Sequence, residues 1–406
     1  MKRFGFILVV LMLASPAWAA KLITVQQLKE LLGSLQQANK NDAEVAAALE
    51  QVELSEQLNP GAMNGLSGYI PGKDATEQLY VLQVRSAVLA PPAVDLPSIP
   101  APDAAAQKAI LEKATEYVSK SYAQLPHLIA TKKTSRFQNL ILQPTAAPAP
   151  SATGASPEAL DPRLVIHYYG LSESQIESEN GAQRLAQGAD KVGDKSGQVS
   201  SLGQGPVLTS ILQEAQAADS LKWLRWETVD GTRAAVFSFA VEKKKSHYAI
   251  LDCCFTNSAT ANWSRSYGVF GAAAKVTPDR ANSIQGYGGT SMQLPSETTP
   301  RDLTEWKIFK ATEPYHGELI VDPATGVVLR MVTHTEFKPF DLVQREDERI
   351  DYGPVKVAGK TLILPVKSVV AIGSLLGINA GGGKYPTRST LFNAEYTNYQ
   401  AAGTGH

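Results

Sequence analysis

Apolar residues recur along the first third of the chain with a helical period. Behind Thr24, a residue suited to capping, come Val25, Leu28, Leu31, Leu32 and Leu35. Asp42 is suited to cap a second series through Val45, Leu49 and Val52, closed by Asn59-Pro60. A third runs from about Asp74 to Leu89 and stops at Pro91-Pro92. A fourth follows Pro102-Asp103 through Ile110, Ala114, Tyr117 and Ser121 and stops before Pro126. These stripes read as the core of a small helical bundle over residues 21–143. From Leu221 the period falls to two. Leu221–Val229 and Thr232–Val241 flank Asp230-Gly231, a tight hairpin signal, with Phe237, Phe239 and Val241 on one face. Ser246–Cys254, His316–Val321, Val327–Glu336, Arg349–Val357, Lys360–Val370 and Thr390–Tyr399 continue the strand pattern across short turns at 322–326 and Ala358-Gly359. Strands joined by hairpins with few crossover helices imply an antiparallel meander, and the chain as a whole an α+β fold.

Between these regions the pattern lapses. Residues 144–160 are Pro, Ala, Ser and Thr with no large apolar side chain, and read as an extended linker. Residues 178–205 read as a polar loop, followed by a short helix after Gly205-Pro206. Residues 256–304 read as a long insertion into the strand region. The organisation expected is therefore a helical domain at 20–143, a linker at 144–160 and an antiparallel β domain at 161–400.

The N-terminus changes where this fold is expected to work. Lys2-Arg3, the apolar run Phe4–Leu13 and Ala17-Trp18-Ala19 form a signal peptide over 1–19, too short for a stable bilayer anchor. No later apolar run suggests an integral membrane segment, and no cysteine follows the expected cleavage point for lipidation. The mature protein is expected to be exported, free in the periplasm or medium. Removing Lys2 and Arg3 from the 38 basic residues leaves 36 against 39 acidic ones, a net charge of −3. That balance argues against a nucleic-acid partner and against a polybasic membrane anchor.

Candidate chemistry is sparse. The sequence lacks a Gly-x-Ser-x-Gly elbow, a His-Glu-x-x-His helix and paired Cys-x-x-Cys motifs, so it nominates no catalytic residue, metal or cofactor. Gly381-Gly382-Gly383-Lys384 fails as a phosphate loop, because Ile378 replaces the first Gly and Tyr385 the magnesium-binding hydroxyl. His316 and His334 flank one hairpin but lack a third ligand. Glu346, Asp347, Glu348 and Asp351, interleaved with Arg345 and Arg349, read as a solvated strand edge. Cys253-Cys254 leaves two readings open: a strained vicinal disulfide acting as a redox pair, or two thiols on opposite faces of a strand. Trp226, Phe237 and Phe239 are the best candidates for lining a ligand cavity, the alternative being ordinary core between sheet and helix.

The stretch Tyr315-His316-Gly317-Glu318-Leu319-Ile320-Val321-Asp322-Pro323-Ala324-Thr325-Gly326-Val327-Val328-Leu329-Arg330 resembles a hairpin of uncharacterised secreted bacterial proteins. Asp351–Lys360, Phe392–Tyr399, Leu125-Pro126-His127 and Thr131–Thr134 resemble the same group. The C-terminal half of that group distantly resembles the outer-membrane lipoprotein-sorting carriers. The resemblance implies a curved, half-barrel-like sheet with one or two helices and an apolar hollow, obstructed here if the 256–304 insertion fills it. The function expected is non-enzymatic: binding an apolar or lipid-like ligand, or a lipidated partner, in the cell envelope. The alternatives are a structural or protein-interaction module without a cavity, and a hydrolase whose residues converge only in the fold.

Overall fold

The computed structural model describes residues 20–139, 165–179, 182–185, 200–201, 208–256, 284–285, 291–292, 306–338, 341, 343–375 and 387–402. The expected signal peptide, the 144–160 linker, the Gly381–Lys384 loop and most of the 256–304 insertion lie outside them. Among the described residues no helix is long and apolar enough to cross a membrane.

The N-terminal region holds strand β1 (Lys21–Ile23), helices α1 (Val25–Gln37) and α2 (Asp42–Leu49), strand β2 (Val52–Leu54), and helices α3 (Pro60–Leu66), α4 (Lys73–Ser86) and α5 (Ala104–Ala123). Local chemistry sets its boundaries. Thr24 caps α1 in a capping box with Gln27, and Asp103 caps α5. Asn41, not Asp42, caps α2. Asp42 instead reaches across to α4, accepting from the backbone N–H of Asp74 at 3.0 Å and Ala75 at 2.9 Å. The N-cap of α4 is Gly72, which has no side chain to do this work itself. Leu28, Leu32, Val45, Leu49, Leu79 and Leu82 bury the bundle core.

After α5 come strands β3 (Leu128–Gln138), β4 (His167–Glu179), β5 (Ala182–Leu185) and β6 (Ser200–Ser201), then α6 (Leu208–Ala217). There follow β7 (Lys222–Val229), β8 (Thr232–Val241), β9 (Ala249–Thr256), β10 (Ile284–Gln285), β11 (Ser291–Met292), β12 (Trp306–Thr312), β13 (Tyr315–Val321), β14 (Val328–Glu336), β15 (Val343–Val357), β16 (Lys360–Leu375) and β17 (Thr387–Ala401). Ten of these strands form one open, curved antiparallel sheet ordered β5-β4-β3-β17-β16-β15-β14-β13-β8-β7. The α+β class and the half-barrel-like sheet are thus those expected. Residues 128–138 depart from the helical reading. They form a strand between β17 and β4, so the sheet draws on chain from both sides of the expected linker. The supposed polar loop likewise contributes the end of β4 and all of β5.

The turns follow their residues. Asp230 and Gly231 both take positive φ (48° and 79°), as do Ala358 and Gly359 (46° and 78°), the geometry of two-residue hairpins. In the 322–326 turn, Asp322 accepts from Ala324 N at 2.9 Å and from Thr325 Oγ1 at 2.6 Å. Gly326, at φ 77°, lies so close to α5 that a Cβ would stand 2.5 Å from the backbone of Lys113. This turn is a seat for α5.

The sheet is covered on both faces. On one, α5 and α6 lay Ile110, Ala114, Val118, Ile211, Leu212 and Ala215 against β7, β8, β13 and β14. Tyr315 Oη donates to Glu214 of α6 at 2.7 Å. On the other, α4 lays Val81 and Val84 against Phe137, Val369 and Leu391, and carries the helical bundle with it. We call these the α5 face and the α4 face.

Candidate functional site

Strand β15 divides its side chains between the faces. Arg345, Asp347, Arg349 and Asp351 point to the α4 face, and Glu346, Glu348, Ile350 and Tyr352 to the α5 face. The acidic cluster is therefore not a solvated edge. β15 is bonded to β14 on one side and β16 on the other, and Glu346, Asp347 and Glu348 are all buried.

On the α4 face the charges are partnered. Asp351 accepts from Arg330 Nε at 2.7 Å and from Arg349 Nε at 2.9 Å. Arg330 Nη1 donates to Glu227 at 2.7 Å, and Arg225 joins Glu227 to Glu318. Arg349 Nη1 also donates to the carbonyl of Ala87 just beyond α4, fastening the bundle to the sheet. Burial pushes the Asp351 carboxyl up, but the Arg349 and Arg330 guanidinium groups outweigh it and hold it below the usual range. Farther along, His316 and His334 stand opposite each other in register with ring centroids 5.2 Å apart. His334 Nδ1 lies 2.8 Å from Asp347, which also accepts from Arg345 Nε at 2.7 Å. Among the described residues no group of three or more His, Cys, Asp or Glu is placed to hold a metal ion.

The α5 face differs. Its central rank runs Thr335, Glu346, Ile372, Thr390 and Gln138 across β14, β15, β16, β17 and β3. The adjacent rank runs Thr333, Glu348, Val370, Phe392 and Arg136. Phe309, Phe337, Val343, Val370, Ile372 and Phe392 pack together here as apolar wall. Within it, Glu348 is 6% exposed and Thr335 and Thr390 are each 1% exposed. Among the described residues, Glu348 Oε2, Thr335 Oγ1 and Thr390 Oγ1 have no hydrogen-bond partner. An orphaned buried polar group costs about 1–3 kcal/mol, so three on one face call for an explanation. Burial pushes the Glu348 carboxyl up to about 7, against a smaller opposing pull from Lys132. The neighbouring phenols of Tyr122 on α5 and Tyr352, bonded to each other, are also driven upward by burial.

The side chains nominated from sequence fall elsewhere. Trp226, Phe237 and Phe239 do share the α5 face, but at its β7–β8 end, each less than a tenth exposed and packed into the core beneath α5 and α6. Trp223 stacks edge-on against both Trp226 and Phe237, Phe239 meets Tyr315, and Trp226 Nε1 donates to the carbonyl of Pro100. Cys253 and Cys254 lie in β9, with Cys253 opposite Ser200 of β6; their side chains lie outside the described ones. Thr335 and Thr390 were missed; for Thr335 a signal existed, because Met331, Thr333 and Thr335 alternate in step and place it on the face of a core methionine.

No family model matches this chain, and no curated protein matches it. Among solved structures, a DUF1329 family protein from Desulfovibrio piger aligns over 74% of this chain and 94% of its own, at 9% identity and a TM-score of 0.28. The Pseudomonas aeruginosa MucA/MucB complex aligns over 70% of this chain and 94% of that one, at 10% identity and a TM-score of 0.17. Scores this low carry no argument about function.

Proposed function

We propose that this is an exported, non-enzymatic structural or protein-interaction module of the cell envelope, whose sheet is a filled scaffold and not an open trough for acyl chains. One observation carries the reading. The aromatic end of the α5 face is occupied by the protein's own α5 and α6, leaving Phe237 fully buried among side chains. A sheet lined for acyl chains would leave that surface free for the ligand. The signal-peptide pattern and the lack of a catalytic motif support the exported, non-enzymatic part.

The test is mass spectrometry of gently extracted protein. The scaffold reading expects no acyl lipid in stoichiometric amount. One tightly held acyl lipid per chain, with its tails cross-linking to Trp226, Phe237 or Phe239, would return the molecule to the carrier class.

A further inference from the structure

We propose that His316 and His334 form a surface site for a divalent ion of the zinc class, bound through one nitrogen of each imidazole, with Asp347 as the positioning carboxylate behind His334. The site lies on the α4 face, away from the core that α5 and α6 fill. It goes beyond the scaffold reading and does not rest on it.

The register sets the geometry. His316, His334 and Asp347 stand in one rank across β13, β14 and β15. His334 Nδ1 is 2.8 Å from Asp347 Oδ1, and Asp347 Oδ2 is fixed in turn by Arg345 Nε at 2.7 Å. The two nitrogens of an imidazole lie on opposite edges of the ring. With Nδ1 turned toward β15, Nε2 is turned toward β13, where His316 stands. A carboxylate on one ring nitrogen selects the tautomer that leaves a lone pair on the other, the usual second partner of a metal-binding histidine. Spacing agrees. With Zn–N bonds of about 2.0–2.1 Å, a tetrahedral angle and each nitrogen about 1.1 Å from its ring centre, two imidazoles on one ion have centres about 5 Å apart. The two rings here are 5.2 Å apart.

The rank is open to solvent. His316 is exposed and the His334 side chain is 21% exposed. The rank continues into Ala240 on β8 and Ala371 on β16, so its flanking side chains are too short to cover the rings. Glu318, two residues from His316 on the same face, has both oxygens engaged by Arg225. Among the described residues no third side chain completes the set, so water fills the other positions of the ion. Imidazole nitrogens suit zinc, copper and nickel, whereas magnesium takes oxygen donors.

The test titrates zinc chloride, with magnesium chloride as the hard-ion control, calorimetrically against the untagged mature chain. The expected result is saturable binding of one Zn2+ per chain, with a rise in melting temperature that Mg2+ does not produce. His316→Gln and His334→Gln should each abolish both signals. His316 is exposed, so its variant should fold and melt like the metal-free parent, which separates a lost ligand from a lost fold. Asp347→Asn should weaken Zn2+ by about tenfold or more, the usual effect of removing such a partner. His247→Ala, at an exposed histidine elsewhere, should bind as the parent does. Absence of saturable Zn2+ binding, binding that survives both glutamine variants, or equal binding of Mg2+ would overturn the site. Unchanged affinity in Asp347→Asn would overturn the role given to that carboxylate.

Discussion

The two faces of the sheet handle charge in opposite ways. On the α4 face, each arginine of β15 meets an aspartate two residues along, and Arg330 and Arg225 extend the pairing into β14 and β7. On the α5 face, two glutamates of the same strand enter an apolar wall, and one has an orphaned oxygen. A single alternating stretch, Arg345–Asp351, supplies both arrangements. Alternation alone does not make charges exposed or satisfied; what stands on the neighbouring strands decides.

The largest effect should come from breaking the satisfied side. Asp351→Ala leaves Arg330 and Arg349 without their shared partner and should cost about 3 kcal/mol of stability, read by urea denaturation. A loss below about 1 kcal/mol would mean that the network is solvent-screened and the contrast between faces unfounded.

The unsatisfied side should respond with the opposite sign. Glu348 is raised from 4.5 to about 7 in the folded chain. Below 4.5 both states hold the proton and the fold loses nothing. As pH rises toward 7 the unfolded chain releases it first, so stability falls, by about 3 kcal/mol at 1.36 kcal/mol per unit. Glu348→Gln should abolish this decline and leave the variant more stable than the parent above pH 7. Asp351, held low, makes a contribution that is present above its unfolded value of 3.8 and is lost as pH falls through its folded value. Thermal melts across pH for the two variants should therefore diverge in opposite directions. Parallel profiles would dissolve the contrast.

Two smaller changes probe how each face is held to its helices. Gly326→Ala combines a positive φ with a clash against the Lys113 backbone, and should cost about 2 kcal/mol while loosening α5. Asp42→Ala removes the donated cap of α4 and should cost about 1 kcal/mol, with hydrogen exchange rising first at Asp74 and Ala75. Faster exchange confined to α2 would place the aspartate in its own helix instead.

Features fixed by nearby residues were legible in the sequence. Asp230-Gly231, Ala358-Gly359 and the 322–326 turn carry their own geometry, Thr24 caps as expected, and α5 starts directly after Asp103 as its pattern implies. Features fixed by distant partners were not. Thr131-Lys132-Lys133-Thr134 shows no strand signal by itself, and becomes one because β17 and β4 bond to both its edges. Asp42 lies where a local cap belongs, and only the folded chain brings Asp74 to it. The aromatic residues drew attention by size, yet size marks core as readily as ligand surface. The threonines passed unnoticed because a hydroxyl without a partner is a property of surroundings, not of a residue.

The place of β3 has a consequence for the order of assembly. Its partner β17 is drawn from the far end of the chain, about 250 residues away, and loop closure over such a distance is slow. Until the last segment has emerged, one edge of β3 stays without its mate. Completion of the ten-stranded sheet is thereby deferred until the C-terminal strand is in place.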